Sequence, residues 1–290
     1  MTWIELKYTT TASQADALSE ALTELGALAV TTQDAGDQPL YEPDPETTPT
    51  WDQIIITGLF EAKQNIESTL SAIQSEFPDL QPTCSQLAEA DWQNSWMQDF
   101  QPMNFGKRLS VIPSYEKREL SSHQIIFDPG MAFGTGKHPT TALCLNWLDS
   151  HITDQKVLID YGCGSGILGI AALKLGVQTV YAVDHDPQAI IATHQNGQKN
   201  GFSTQQLITL EPTELEPNMA DIIMANILAN PLIELAQQFH TWLAPKGSVI
   251  LSGILEGQAN DVIQAYETYF KILKVEQLEE WVRIDGVKLI

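Results

Sequence analysis

Apolar and polar residues alternate at the start of the chain, in TWIELKYT (2–9), where Trp3, Ile4, Leu6 and Tyr8 mark a strand. The period then lengthens. Over SQADALSEALTEL (13–25), Leu18, Ala21, Leu22 and Leu25 fall at helical spacing, Ser13 can act as N-cap, and Gly26 ends the helix. A strand at 27–33 follows, then an exposed Pro- and acid-rich loop at 34–50 and a strand at 53–61. A helix at 63–76 and a weaker strand at 82–89 complete a β-α-β-β-α-β order, which predicts a ferredoxin-like α+β domain over residues 1–89. No residue cluster in it suggests chemistry, so binding is its expected job. Residues 90–106 read as a linker: Trp92, Trp96 and Phe100 at i, i+4 and i+8 form one helical stripe, which either docks the connector or faces substrate. Pro102 and Gly106 end that helix.

From residue 107 strands and helices alternate, the signature of a mostly parallel α/β sheet over 107–290. The expected elements are strands at 156–162, 179–184, 206–211, 220–226 and 248–254, and helices at 167–176, 187–199 and 231–243, the last with Pro231 at its start. Residues 270–289 supply the final strands, separated by a turn.

Candidate chemistry gathers at the ends of these strands. In DYGCGSG (160–166), Gly162, Gly164 and Gly166 let the backbone approach a ligand and turn into a helix. Their G-x-G-x-G spacing differs from the G-x-G-x-x-G of dinucleotide enzymes, because Ile167 stands where the third glycine would be. Asp184 ends the next strand, where an acid can accept hydrogen bonds from both ribose hydroxyls; Asp186, before Pro187, reads as a helix N-cap. Asn226, in ANILANP, ends the fourth strand and should face the pocket with both an acceptor and a donor. The glycine-rich FDPGMAFGTGKHPTT (127–141) leads into a helix at Thr140 and Thr141, whose hydroxyls and backbone N–H groups can hold a carboxylate. His138 there is either catalytic or a helix-start residue, and Cys163 reads as a small packing residue.

Composition narrows the class. The length of 290 residues favours two domains, and no apolar run approaches the ~18 residues that a membrane span needs. The N-terminus lacks the features of a secretory signal. Three widely spaced cysteines argue against a disulfide framework and against zinc, and suit the cytoplasm. With 15 basic against 37 acidic residues and a net charge of −22, a sequence-specific nucleic-acid binder is not expected. The charge fits steering of a basic protein partner, or solubility alone.

Taken together, DWQNSWMQDFQPMNFG, DPGMAFGTGKHPTT, IDYGCGSGILGIAA, VDHDP and ANILANP, in that order, resemble the PrmA family, bacterial methyltransferases of large-subunit ribosomal protein eleven. The resemblance covers essentially the whole chain. It implies a seven-stranded Rossmann-like class I domain using S-adenosyl-L-methionine, preceded by a small substrate-recognition domain and a flexible linker. It further implies N-methylation of lysine ε-amines and the terminal α-amine of that protein, free or on the ribosome. Thr141, Gly162, Asp184 and Asn226 would contact the cofactor, with Phe133 and His138 near the methyl group. The alternative is a class I methyltransferase acting on another protein or a small molecule. The N-I-L after strand four lacks the N-P-P-[YF] of enzymes that methylate DNA amino groups or glutamine.

Overall fold

Alternation in the first strand becomes a sheet face. In the computed structural model, which describes residues 2–36, 38, 50–88, 101–115, 123–127, 138–153 and 155–289, the chain forms two units, Met1–Asp99 and Phe100–Ile290. The first contains β1 (Thr2–Thr11), α1 (Ala12–Glu24), β2 (Ala29–Asp34), β3 (Gln53–Glu61), α2 (Ile66–Glu76) and β4 (Pro82–Ala88). The strands make an antiparallel sheet of order β2-β3-β1-β4, the ferredoxin-like arrangement. Leu6, Tyr8, Ile54, Ile56 and Phe60 point to one side and form a core with Leu18, Leu22 and Ile73 of the helices. The N-cap of α1 is Thr11 rather than Ser13, because β1 stays paired as far as Thr11↔Gln53 and the chain turns helical directly after it. At the other end Gly26 takes φ +91, and its N–H and that of Ala27 close the helix onto Thr23 O and Leu22 O.

The second unit is built on a seven-stranded sheet. Its strands are β8 (Val157–Tyr161), β9 (Thr179–Val183), β10 (Leu207–Leu210), β11 (Ala220–Asn226), β12 (Leu243–Leu255), β13 (Phe270–Leu278) and β14 (Trp281–Lys288). Their order is β10-β9-β8-β11-β12-β14-β13, parallel except for β14, which runs against both neighbours. Helices α3 (Pro139–His151), α4 (Ile167–Lys174) and α5 (Pro187–Lys199) pack on one face; α6 (Ala229–Trp242) and α7 (Ala259–Glu267) cover the other. Strand order reverses between β8 and β11, so the ligand crevice of such a sheet lies beyond their carboxyl ends.

Some elements differ from expectation. Helix α6 begins at Ala229, so Pro231 is its third residue rather than its first. Proline is tolerated there because none of the first four N–H groups has an intrahelical partner. Helix α7 was not anticipated, nor was a small sheet of β5 (Met103–Phe105), β6 (Leu109–Ile112) and β7 (Gln124–Ile126). Two acceptors on α3 clamp the turn between β5 and β6. Asn146 Oδ1 takes the Gly106 N–H at 2.8 Å; the Asp149 carboxylate takes those of Lys107 (2.7 Å), Arg108 (2.9 Å) and Leu109 (3.1 Å). Gly106 has φ +62, and a Cβ there would overlap the Asp149 carboxylate. The Arg108 guanidinium returns to the Asp149 carbonyl. Among the described residues no helix is long and apolar enough to cross a membrane. The proposed connector stripe of Trp92, Trp96 and Phe100, and most of the 34–50 loop, lie outside the described residues.

Candidate active site

The turn after β8 is shaped by three glycines in left-handed conformation: Gly162 at φ +72, Gly164 at +52 and Gly166 at +79. At Gly162 the reason is doubled, since a Cβ would also overlap Ile227 Cγ2, the residue following Asn226. The N–H groups of Gly162 and Cys163 both donate to Val183 O, at 2.8 and 3.0 Å, so the turn is tied to the end of β9.

Asp184 stands one residue beyond β9. Its Oδ2 accepts the Gly164 N–H and its Oδ1 the Asp186 N–H, each at 3.0 Å. Each carboxylate oxygen keeps a further lone pair. Asp186 is the N-cap of α5, accepting the Gln188 N–H at 2.8 Å. Across the switch point, Asn226 at the end of β11 donates from Nδ2 to Thr141 Oγ1 at 3.3 Å, joining residues 85 positions apart. Thr141 is buried in the first turn of α3, and Ser252 of β12 fixes that turn by donating to Thr140 O at 3.2 Å.

His138 is the N-cap of α3. Its Nδ1 lies 2.8 Å from Thr140 Oγ1 and accepts the Thr140 N–H at 3.4 Å, a role that needs that nitrogen unprotonated. Burial pushes its pKa below the usual histidine value, against Glu280 and Glu279, which favour the cation. Its ring meets Trp281 edge to face, with centroids 4.9 Å apart. Phe133 lies outside the described residues, as do Gly130, Gly134 and Gly136 of its loop. Cys163 is buried, its thiol pKa pushed well up by burial, and it fills space beneath the turn rather than offering a thiolate.

Two features escaped the sequence reading. Asp160, at 1% exposure, accepts the Gly169 N–H at 2.8 Å and so caps α4, whose own N-cap, Gly166, has no side chain to do so. Burial raises its pKa to about 7, with Gly169 opposing and Asp184 adding to the rise. An acid ending an otherwise apolar strand was a readable signal, because a carboxyl there must find a donor. Trp281 carried no local signal; only the antiparallel β14 brings it to His138.

A seven-stranded sheet with its next-to-last strand antiparallel, and a triple-glycine turn at the point where strand order reverses, define a class I methyltransferase domain. The profile of the ribosomal protein L11 methyltransferase (PrmA) family matches residues 2–289. The chain is 46% identical to the ribosomal protein L11 methyltransferase of Marinobacter nauticus, over 99% of this chain and 98% of the relative. It is 44% identical to that of Azotobacter vinelandii, over 99% and 100%. Among solved structures, a ribosomal protein L11 methylase from Lactobacillus delbrueckii subsp. bulgaricus superposes with a TM-score of 0.60 at 30% identity, covering 65% of this chain and 99% of that one. The chain belongs to the ribosomal protein L11 methyltransferase (PrmA) family.

Proposed function

We propose that this enzyme transfers methyl groups from S-adenosylmethionine to amines of ribosomal protein L11, both lysine ε-amines and the N-terminal α-amine. The donor set fits the cofactor. Asp184 keeps two lone pairs for vicinal hydroxyls, and Gly162, Gly164 and Gly166 leave room for close backbone approach beside it. Thr141 and Asn226 would complete the contacts at the amino-acid end, with His138 and Phe133 bordering the reacting centre. When bound, S-adenosylmethionine supplies an electrophilic methyl group on a positive sulfonium.

The observation that carries the reading is the Asn226–Thr141 contact. With Nδ2 committed to Thr141, Asn226 presents Oδ1 as an acceptor that can orient an amine by one of its N–H bonds. The amine must arrive neutral. A lysine of pKa ~10.4 costs roughly 4.6 kcal/mol to deprotonate at pH 7, and an α-amine of pKa ~7.7–8.0 about 1. Removal from water and the neighbouring positive charge both favour proton loss. No dedicated base is needed if positioning supplies the remainder.

Charge points to where the partner is captured. Residues 1–99 hold 17 of the 37 acidic residues but only two of the 15 basic ones. That field attracts a basic protein, which supports a substrate-recognition role for the first unit. The test is transfer of radiolabel from S-adenosylmethionine to ribosomal proteins of a strain lacking its own enzyme. A labelled L11 band, lost in Asp184→Ala and much reduced in Asn226→Ala at saturating cofactor, is expected. Label on a different protein would overturn the substrate assignment.

A further inference from the structure

Helix α5 carries a polar stripe that faces inward. Thr193, Asn196 and Asn200 follow at i, i+3 and i+7, and Thr193 and Asn200 are buried. The Thr193 hydroxyl lies 3.1 Å from Gly164 O and 3.4 Å from Cys163 Sγ, and it occupies the space of a Cβ at Gly166 (2.8 Å). Asn196 Nδ2 donates to Ser165 O at 2.9 Å. Asn200 Nδ2 donates to Asn196 O at 2.9 Å and to Ile126 O at 2.8 Å, and its Oδ1 accepts the Ile126 N–H at 2.8 Å. One helix face thus holds two successive carbonyls of the glycine turn and, through Asn200, strand β7.

We infer that Thr193 and Asn196 are positioning residues that hold the glycine turn in its cofactor-binding shape from behind. Planar trans peptides fix the mechanism: each carbonyl held toward α5 aims the next residue's N–H the opposite way. Holding Gly164 O sets the Ser165 N–H; holding Ser165 O sets the Gly166 N–H, which donates to Cys163 O at 2.7 Å. Glycines have the widest backbone freedom, so a turn of three needs such external fixation to be ordered before ligand arrives. This inference rests on the reading that the turn binds S-adenosylmethionine.

Two substitutions at one position separate hydrogen bonding from packing. Thr193→Val keeps the buried shape and loses the hydroxyl; Thr193→Ser keeps the hydroxyl and loses the methyl group. By isothermal titration with S-adenosylmethionine, Thr193→Val should bind about fivefold more weakly, the worth of one hydrogen bond. Thr193→Ser should stay within about twofold of wild type, and KM for the protein acceptor should be unchanged in both. Asn196→Leu, at a half-buried position where misfolding is less of a concern, should weaken cofactor binding in the same way. If Thr193→Ser proves the weaker binder, or Thr193→Val and Asn196→Leu both match a wild type that binds, the inference is overturned alone. A wild type without measurable affinity overturns the functional reading and this one with it.

Discussion

Replacing Asp160 by asparagine should change how stability depends on pH. Burial lifts the folded-state pKa of Asp160 to about 7, whereas an unfolded aspartate titrates near 3.9. Between about pH 4 and pH 7 the folded chain therefore keeps a proton that the unfolded chain has released. Stability falls with rising pH wherever the native state binds more protons. The contribution of Asp160 is thus fully present below the unfolded pKa and gone once pH passes the folded one. Three units at 1.36 kcal/mol each come to about 4 kcal/mol, of which about 3 fall between pH 4.5 and 8. Asp160→Asn keeps an oxygen for the Gly169 N–H and cannot ionise. Its amide has its own burial cost, but that cost does not vary with pH, and every other titrating group is shared with wild type. Urea unfolding of the second unit, measured for both proteins from pH 4.5 to 8, reads the difference. The variant should gain on wild type by about 3 kcal/mol across that range, at up to about 1.4 kcal/mol per pH unit. Stability curves that run parallel would refute the reasoning.

Two further substitutions test the frame of the site. Gly162→Ala combines a left-handed backbone, costing ~1–2 kcal/mol, with overlap on Ile227 next to Asn226, so calorimetry should find cofactor affinity lost; wild-type affinity would show that the turn yields freely. Arg283, 2% exposed on β14, donates to both Asp285 carboxylate oxygens (2.7 and 3.1 Å), to Glu276 and to Leu143 O of α3. Arg283→Met strands the buried Asp285 and should destabilise by ~3–5 kcal/mol in urea melts, with most of it recovered in Arg283→Met/Asp285→Leu; equal losses in the single and double variants would contradict an ion-pair origin.

The parallel sheet was legible because β8, β9 and β11 are covered on both faces and must read as apolar runs. Helix α5 was read to its ends because Asp186-Pro187 and Asn200-Gly201 are strong start and stop chemistry. The start of α6 was misplaced because its N-cap, Leu228, makes no side-chain cap, leaving Pro231 as the nearest signal. Strands β5 to β7 have three or four residues each, too few for a period to show. In the site, residues at strand ends could be picked by type and position. What Thr193, Asn196 and Trp281 do is decided by neighbours distant in sequence, and no local pattern encodes that.

The clamp on α3 also has a mechanical meaning. A pull on the chain where it enters the second unit is met in the turn between β5 and β6. There the N–H groups of residues 106 to 109 are loaded in parallel onto Asn146 and Asp149, on the same helix whose first turn carries Thr141. Bonds sharing a load yield together rather than one by one, and three of these end on a carboxylate, the stronger kind of acceptor. The acceptors Asn146 and Asp149 stand five and eight residues along α3 from Thr141, so a load on the incoming chain is borne by the helix whose first turn makes the contact with Asn226.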